Sequence, residues 1–176
     1  MLFKSMLIFV SLVLLLSACD DPENRNSKSI DKQKLEESLV KVNRKYIDVE
    51  NQQIDDFMHR RKWNGFIKTN TGLRYYIYKK GIGKIPIAGS MVGVEYTISD
   101  IKGNLLYDSK KLGKKVFQID KNEEPTGLDE ALRLMKLGAK AKLIVPSYLA
   151  YGLLGDENKI GQKVTLIYDV YLTEVN

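Results

Sequence analysis

The sequence predicts an α+β protein, with a long N-terminal helical arm followed by a domain in which short antiparallel strands flank a single helix. From about Asp31 to Trp63 there is no glycine or proline, and helix-forming residues dominate. From Thr71 onward, short aromatic and β-branched runs are separated by glycine, proline and asparagine. One amphipathic segment interrupts these runs. Helix and strand are therefore segregated along the chain, as in the α+β class.

The first 18 residues are predicted to be a bacterial lipoprotein signal peptide. The apolar run from Met6 to Leu16 follows Lys4 and is shorter than the roughly 20 residues that span a bilayer. It leads into Leu16-Ser17-Ala18-Cys19, the pattern in which the cysteine becomes the lipidated first residue. Cys19 is the only cysteine of the sequence, so no disulfide forms within a monomer, and lipidation explains the lone thiol. An ordinary secretory signal with an incidental cysteine is the alternative.

Charge and leader together predict a protein of the cell envelope. The chain carries a net charge of +6, which becomes +5 without Lys4, the one charged residue of the first 18. Basic and acidic residues are interspersed, as in Lys32-Gln33-Lys34-Leu35-Glu36-Glu37, so we expect no nucleic-acid partner. We expect a lipid anchor at Cys19 on the periplasmic or surface face of a bacterial membrane. Asp20 and Asp21 fit either face.

Three segments follow the signal peptide in this prediction. Residues 19–29 are polar and aperiodic and form a flexible tether, residues 30–68 form the helical arm, and residues 69–176 form the folded domain. His59 has no second histidine and no cysteine cluster to accompany it, so we predict no metal site.

An apolar stripe runs along the predicted arm. Five residues recur at spacings of 4, 3, 4 and 3, namely Leu35, Leu39, Val42, Tyr46 and Val49. The stripe predicts either a dimerising coiled coil or a helix packed on its own domain. Two heptads are too few to separate these alternatives.

The helix of the folded domain is predicted to start at Thr126, with Asp129 completing a variant of the capping box. Gly138 suits the position just past its end. Its apolar face comprises Leu128, Leu132, Met135 and Leu137. The predicted strands are Leu73–Lys79, Met91–Ile98, Leu105–Asp108, Val116–Ile119, Ala139–Val145 and Lys163–Glu174.

These elements resemble those of FKBP-type peptidyl-prolyl isomerases, over about Gly89 to Val175. The segments that carry the resemblance are Val94-Glu95-Tyr96-Thr97, Leu106-Tyr107-Asp108-Ser109, Phe117, Gly127-Leu128-Asp129-Glu130-Ala131-Leu132-Arg133-Leu134-Met135, Leu143-Ile144-Val145-Pro146, Ala150-Tyr151-Gly152 and Thr165-Leu166-Ile167-Tyr168-Asp169-Val170. The resemblance implies an antiparallel sheet of five or six strands wrapped around one helix, with a shallow apolar pocket between them.

A narrower resemblance is to the lipoprotein branch of this family that is linked to gliding motility in some bacteria. It rests on the helical arm, on the run from Met58 to Trp63 and on Thr71-Gly72-Leu73-Arg74-Tyr75. Fewer residues carry it.

The family resemblance implies the residues of the pocket. The implied catalytic residues are Tyr107, Asp108 and Tyr151, and the implied substrate-binding residues are Tyr96, Phe117, Leu128, Ile160 and Tyr168. Tyr151 would donate its hydroxyl to a substrate carbonyl, and Asp108 would engage the polar edge of the twisted amide. From the residues alone, an Asp before Ser109-Lys110 is typical of a turn or a helix cap, and aromatics on alternating strands are typical of a core.

Such a pocket needs no nucleophile, metal or cofactor, and we expect none. Twisting an X-Pro bond breaks amide resonance, and the planar amide is the more dipolar and better hydrated form. An apolar pocket removes that hydration and so favours the twisted transition state.

Pro125 departs from the family pattern. With Gly127 and Met135 in register, Glu124 and Pro125 occupy positions where the family usually has two aliphatic residues. The second of these normally donates its backbone N–H to the ligand, and proline has none. The loss of one hydrogen bond costs about 0.5–1.5 kcal/mol, so we expect weakened activity.

We therefore expect a lipid-anchored prolyl isomerase that acts on proline-containing segments of exported proteins. The alternative is a non-catalytic chaperone or assembly lipoprotein that binds apolar or proline-containing segments. A third hypothesis is a structural lipoprotein of an envelope machine that uses the helical arm as its contact surface, and the arm also leaves a homodimer open.

Overall fold

A computed structural model of the chain describes residues 31–176. The predicted signal peptide, Cys19 and the predicted tether lie outside the described residues. Two compact units divide between Lys41 and Val42, and the second unit, residues 42–176, contains the sheet. Within residues 31–176, no helix combines the length and the apolar character needed to cross a membrane.

Helix α1 runs from Lys32 to Arg61, close to the predicted span. Three basic residues lie in its last turn, where they complement the helix dipole. Lys62 then adopts a positive φ of 54°, and the Trp63 N–H donates to the Met58 carbonyl at 3.0 Å. The chain thus leaves the helix through a left-handed residue, which satisfies an end carbonyl.

The apolar stripe is not the face that α1 buries within residues 42–176. Its buried residues there are Glu50, Ile54 and Phe57, whereas Val42 and Val49 are 65% and 46% exposed. Leu35 and Leu39 are exposed as well. Packing of the arm on its own domain therefore uses a different face, and the dimer stays a prediction.

The sheet has seven antiparallel strands, in the order β1-β2-β6-β7-β3-β4, with β5 paired to the first part of β3. The strands are β1 Ile67–Lys68, β2 Arg74–Lys79, β3 Met91–Asp100, β4 Leu105–Asp108, β5 Lys115–Gln118, β6 Lys140–Val145 and β7 Leu166–Val175. The two-residue β1 is the strand beyond the five or six expected. The antiparallel α+β arrangement with a preceding helix is confirmed.

Two short helices complete the sheet domain. Helix α2, Ser109–Leu112, follows β4, and helix α3, Thr126–Leu132, lies against β6. A 3₁₀ turn, Ser147–Leu149, follows β6 and Pro146. The core between α3 and the sheet contains fully buried Leu132, Met135 and Leu143.

Helix α3 is shorter than predicted and begins differently. Pro125 is its N-cap and contributes no side-chain bond, so the predicted Thr126 cap is wrong. Asp129 does not close a capping box either, because its Oδ2 accepts the Asp120 N–H at 2.9 Å. At the other end, the N–H groups of Leu134 and Met135 donate to the carbonyls of Ala131 and Leu132, three residues back, so the chain leaves the α-helix through tighter turns well before Gly138. Met135 is buried all the same.

Candidate active site

The floor of the candidate site is built from the inner faces of three strands and one helix. Tyr96 projects from β3, Phe117 from β5, Tyr168 from β7 and Leu128 from α3, and each is less than a tenth exposed. Gly127 allows α3 to approach the sheet, because a Cβ there would lie 2.5 Å from Val145 Cγ1. These four side chains are apolar or aromatic, and their role as the floor of a substrate pocket stays a prediction.

Ile160 joins this floor from the segment before β7. It is 2% exposed and belongs to the same buried cluster as Tyr96, Phe117 and Leu128. Tyr107 and Tyr151 are partly buried and pack against the cluster. The structure therefore brings seven of the eight predicted site residues to one cluster. Their contact with a substrate stays a prediction.

Tyr107 is held by the loop that follows Tyr151. Its hydroxyl donates to the Asp156 carboxylate, and Lys159 lies 5.3 Å from its ring centroid. Asp156 Oδ1 also accepts the N–H groups of Asn158 at 3.0 Å and Ile160 at 2.7 Å. Burial raises the pKa of Asp156, but these hydrogen bonds outweigh burial and leave that pKa below its usual value. An ionised Asp156 thus fixes Tyr107 and Ile160 together.

Tyr151 has a free donor at this site. Its hydroxyl makes no hydrogen bond to another residue of the described range 31–176. Burial, and then the charges of Glu124 and Asp156, raise its pKa well above the usual value. Tyr151 therefore stays protonated at neutral pH and can donate a hydrogen bond to an incoming carbonyl oxygen.

The phenols of Tyr168 and Tyr96 are affected by the same carboxylate, that of Glu124. Burial first, and the negative charge of Glu124 among further causes, raise the pKa of both phenols. The Tyr168 hydroxyl is buried without a partner among the residues that the structure describes. This unpaired hydroxyl gives an otherwise apolar floor one polar point.

Asp108 lies at the end of β4 and begins α2. Its Oδ1 accepts the Lys110 N–H at 2.8 Å, which is the capping role that its sequence context suggested. Next to it, the Ser109 hydroxyl accepts the Tyr96 N–H at 2.9 Å. The charge of Asp108 is one of the causes that raise the Tyr96 pKa. Asp108 is close to the site, and its catalytic role stays a prediction.

Glu124 places a carboxylate beside this aromatic cluster. Its side chain is 12% exposed and forms an ion pair with Lys115, which also lies 5.5 Å from the Tyr96 ring centroid. The second carboxylate oxygen, Oε2, is buried and has no partner among residues 31–176. Pro125 follows as the N-cap, and its carbonyl accepts the N–H groups of Leu128 and Asp129. Directly before α3, the loop therefore presents the carboxylate of Glu124, and Pro125 has no backbone N–H to donate.

Sequence reasoning did not identify Asp156 or place the charge of Glu124 at the site. Asp156 directly follows the glycine-containing segment Gly152–Gly155. An acidic residue at such a place is typical of a solvated turn. The spacing of Asp156 gave a weak signal. An Asp four residues before Ile160 can accept the Ile160 N–H.

Comparisons with known proteins agree with the fold. The model of the family described as FKBP-type peptidyl-prolyl cis-trans isomerase matches residues 83–173. A probable FKBP-type peptidyl-prolyl cis-trans isomerase FkpA of Neisseria meningitidis is 33% identical over 72% of this chain and 50% of its own length. The outer membrane protein MIP of Legionella longbeachae is 36% identical over 63% of this chain and 47% of its own length.

Solved structures give the same result. The crystal structure of FkpA from Escherichia coli has a TM-score of 0.65 and 28% identity, and covers 98% of this chain and 82% of that one. A peptidyl-prolyl cis-trans isomerase from Pseudomonas syringae has a TM-score of 0.62 and 26% identity over 73% of this chain. The fold and the matching family model thus define the class of protein as FKBP-like. The chain belongs to the FKBP-type peptidyl-prolyl cis-trans isomerase family, and it spans about half the length of the first relatives named above.

Proposed function

We propose that this protein catalyses the cis–trans isomerisation of X-Pro bonds in exported polypeptides. The observation that carries the proposal is the cluster of Tyr96, Phe117 and Leu128 beneath a free Tyr151 hydroxyl, in a chain of the FKBP family. A prolyl ring bound on this floor loses its hydration, which disfavours the dipolar planar amide. Tyr151 donates to a neighbouring carbonyl and orients the substrate. The barrier falls without covalent chemistry.

A peptide assay on the full chain tests this proposal. We expect cis-to-trans isomerisation of an Ala-Leu-Pro-Phe peptide above the uncatalysed rate, with loss of about tenfold in kcat/KM on Tyr151→Phe. Tyr171→Phe, on the same sheet but outside the cluster, is the matched control. A wild-type rate equal to background would refute the enzyme.

A second candidate function is binding without useful turnover. Pro125 lacks an N–H and Glu124 brings a carboxylate to the site, and both features oppose tight capture of an amide in an apolar pocket. Replacing this pair with the family pattern, Glu124→Val with Pro125→Ile, separates the two functions. A gain of roughly tenfold in kcat/KM, the equivalent of one hydrogen bond, supports a weakened enzyme. Suppression of client aggregation with no turnover in either form supports the binding module.

The proposed location is the cell envelope, with Cys19 as a lipid anchor on the periplasmic or surface face. The support is the sequence pattern at residues 16–19, together with a relative named as an outer membrane protein. Mass spectrometry of the protein from its native membrane tests the anchor. We expect a diacylglyceryl-sized increment on a chain beginning at Cys19, and none after Cys19→Ala.

We further propose that the protein belongs to the lipoprotein branch linked to gliding motility, and that α1 mediates a homodimer. The exposed apolar residues Leu39 and Val42 support the dimer. Sedimentation equilibrium of the full chain against a Leu39→Glu, Val42→Glu double variant tests it. A monomer mass for both proteins would end the dimer hypothesis. A gene deletion that leaves motility intact would remove the branch assignment.

A further inference from the structure

Helix α1 directs a carboxylate into the protein interior. Glu50 is 4% exposed, although it lies on a helix whose other charged residues face solvent. Three groups donate to it, namely the Ser147 N–H at 2.7 Å, the Ser147 hydroxyl at 2.8 Å and the Thr165 hydroxyl at 2.6 Å. A buried carboxylate is stable only when its oxygens are satisfied in this way.

Ser147 passes this restraint to both neighbours of Tyr151. Its carbonyl accepts the Ala150 N–H at 3.0 Å and the Gly152 N–H at 2.8 Å. We call residues 146–152 the tyrosine loop. Ser147 is its centre, since its N–H and hydroxyl bind the arm while its carbonyl binds the residues on either side of Tyr151.

The next residue of the arm binds the next residue of the loop. The Asn51 amide donates to the Tyr148 hydroxyl at 3.2 Å, and that hydroxyl donates to the Thr71 carbonyl at 3.0 Å. Buried Arg74 holds the Asn51 Oδ1 at 2.6 Å. Two consecutive contacts fix both the position and the direction of the loop. A single contact would leave it free to rotate.

We propose that Glu50 is a positioning residue for the isomerase site, which fixes the Tyr151 hydroxyl through Ser147. This rests on the proposed function of Tyr151. Ile54 and Phe57 of α1 are buried as well, but burial of apolar side chains is not directional. The carboxylate adds directional bonds to the one loop that carries Tyr151.

The enzymatic test compares variants in the full chain. Glu50→Ala leaves the Ser147 N–H unpaired, and we expect kcat/KM to fall by about tenfold, mainly in kcat, which is the loss expected for Tyr151→Phe, because the variant displaces the hydroxyl that Tyr151→Phe removes. Glu50→Gln can still accept from the Ser147 N–H and donate to its hydroxyl, so we expect it to stay within about threefold of wild type.

Two controls separate positioning from stability. Thr165→Val removes one bond to Glu50 without touching the tyrosine loop, and Ile54→Val loosens the packing of α1 alone. We expect both to lower stability and to leave kcat of the folded protein unchanged. If either lowers kcat as much as Glu50→Ala at equal folded fraction, Glu50 acts only through stability and the proposal is wrong.

A third measurement needs neither a variant nor activity. In native-state hydrogen exchange of the unmutated chain, we expect the Ala150 and Gly152 amides to open together with the α1 amides of residues 54–57, with the same dependence on denaturant. Opening of the tyrosine loop at lower free energy than α1 would overturn the proposal. If wild type lacks isomerase activity but the joint opening is found, the proposed function fails and the structural coupling stands.

Discussion

Glu50 and Glu124 are two nearly buried carboxylates whose surroundings differ completely. Glu50 receives three donors at 2.6–2.8 Å. Glu124 has one ion-pair partner, Lys115, and its Oε2 is buried without a partner among residues 31–176. The first connects α1 to the tyrosine loop, and the second lies beside the aromatic floor.

The difference distinguishes a carboxylate that stabilises the structure from one that costs stability. A fully satisfied buried charge stabilises one arrangement of the chain and is expensive to break. A half-satisfied charge costs stability and is kept where a site gains something from it. The charge of Glu124 raises the pKa values of Tyr96, Tyr151 and Tyr168, after burial, so its effect reaches three phenols of the candidate site.

The largest effect is expected at Glu50. Glu50→Ala removes the acceptor for two buried hydroxyls and one backbone N–H, so we expect the free energy of unfolding to fall by about 3–5 kcal/mol. Urea denaturation of the full chain measures this change. Asp48→Ala, an exposed position on the same helix, is the control and should stay within about 0.5 kcal/mol. An equal loss of stability for Asp48→Ala would show that the buried hydrogen bonds of Glu50 are not the cause.

The opposite sign is expected at Glu124. Glu124→Val removes an unsatisfied buried oxygen and leaves Lys115, which is 30% exposed, free to reach water. We expect the free energy of unfolding to stay constant or to rise by roughly 1 kcal/mol. Ultraviolet titration should also show the Tyr96 and Tyr151 pKa values moving down toward the usual value. A loss of stability as large as that of Glu50→Ala would show that Glu124 is structural.

The same contrast should recur between two tyrosine hydroxyls. Tyr148→Phe breaks the bonds to Asn51 and Thr71, so we expect a loss of about 1–2 kcal/mol. Tyr168→Phe removes a buried hydroxyl with no partner in the described chain, and we expect a change within about 0.5 kcal/mol or a small gain. Thermal unfolding of the two variants, measured side by side, shows which substitution costs more stability. The reverse order would mean that the Tyr168 hydroxyl has an unrecognised partner.

The smallest change in the free energy of unfolding is expected at a third carboxylate, that of Asp169, on the outer face of the sheet. Tyr78 donates to Asp169 at 2.5 Å, and burial followed by this bond raises the Tyr78 pKa to about 12. The folded protein then holds the phenol proton more tightly than the unfolded chain, whose pKa is near 10. The contribution is complete below pH 10 and is lost as the pH rises through 12. Because Tyr78 is 45% exposed, we expect only a slight difference between wild type and Tyr78→Phe in unfolding experiments from pH 9 to 12. A difference that grows with pH would contradict the shift.

Most of the fold could be predicted because it rests on local patterns. The alternation of Leu166, Tyr168, Val170 and Leu172 specified a strand with one buried face, and all four side chains are buried. Helix α1 followed from the lack of glycine and proline. The end of α3 was missed because the apolar spacing continues to Met135, although the backbone changes to three-residue turns after Leu132.

The connection between arm and loop could not be predicted in the same way. A glutamate on a charged helix is normally solvated, and Glu50 meets partners 97 and 115 residues further along the chain. The candidate site was predicted through resemblance, since aromatic residues on strands are otherwise typical of a core. Glu124 is visible in the sequence, but only its ion pair with Lys115 of β5 and its buried Oε2 show that its charge lies beside the aromatic cluster.

The position of β7 has a consequence for the order of folding. This last strand of the sheet pairs with β3 along nearly its full length on one side, and with β6 along residues 166–171 on the other. A chain that emerges N-terminus first therefore leaves one edge of β3 and one edge of β6 unpaired until β7 arrives to join them. Closure of such a long loop is slow compared with local helix formation. Before that moment the aromatic cluster lacks Tyr168, which β7 carries.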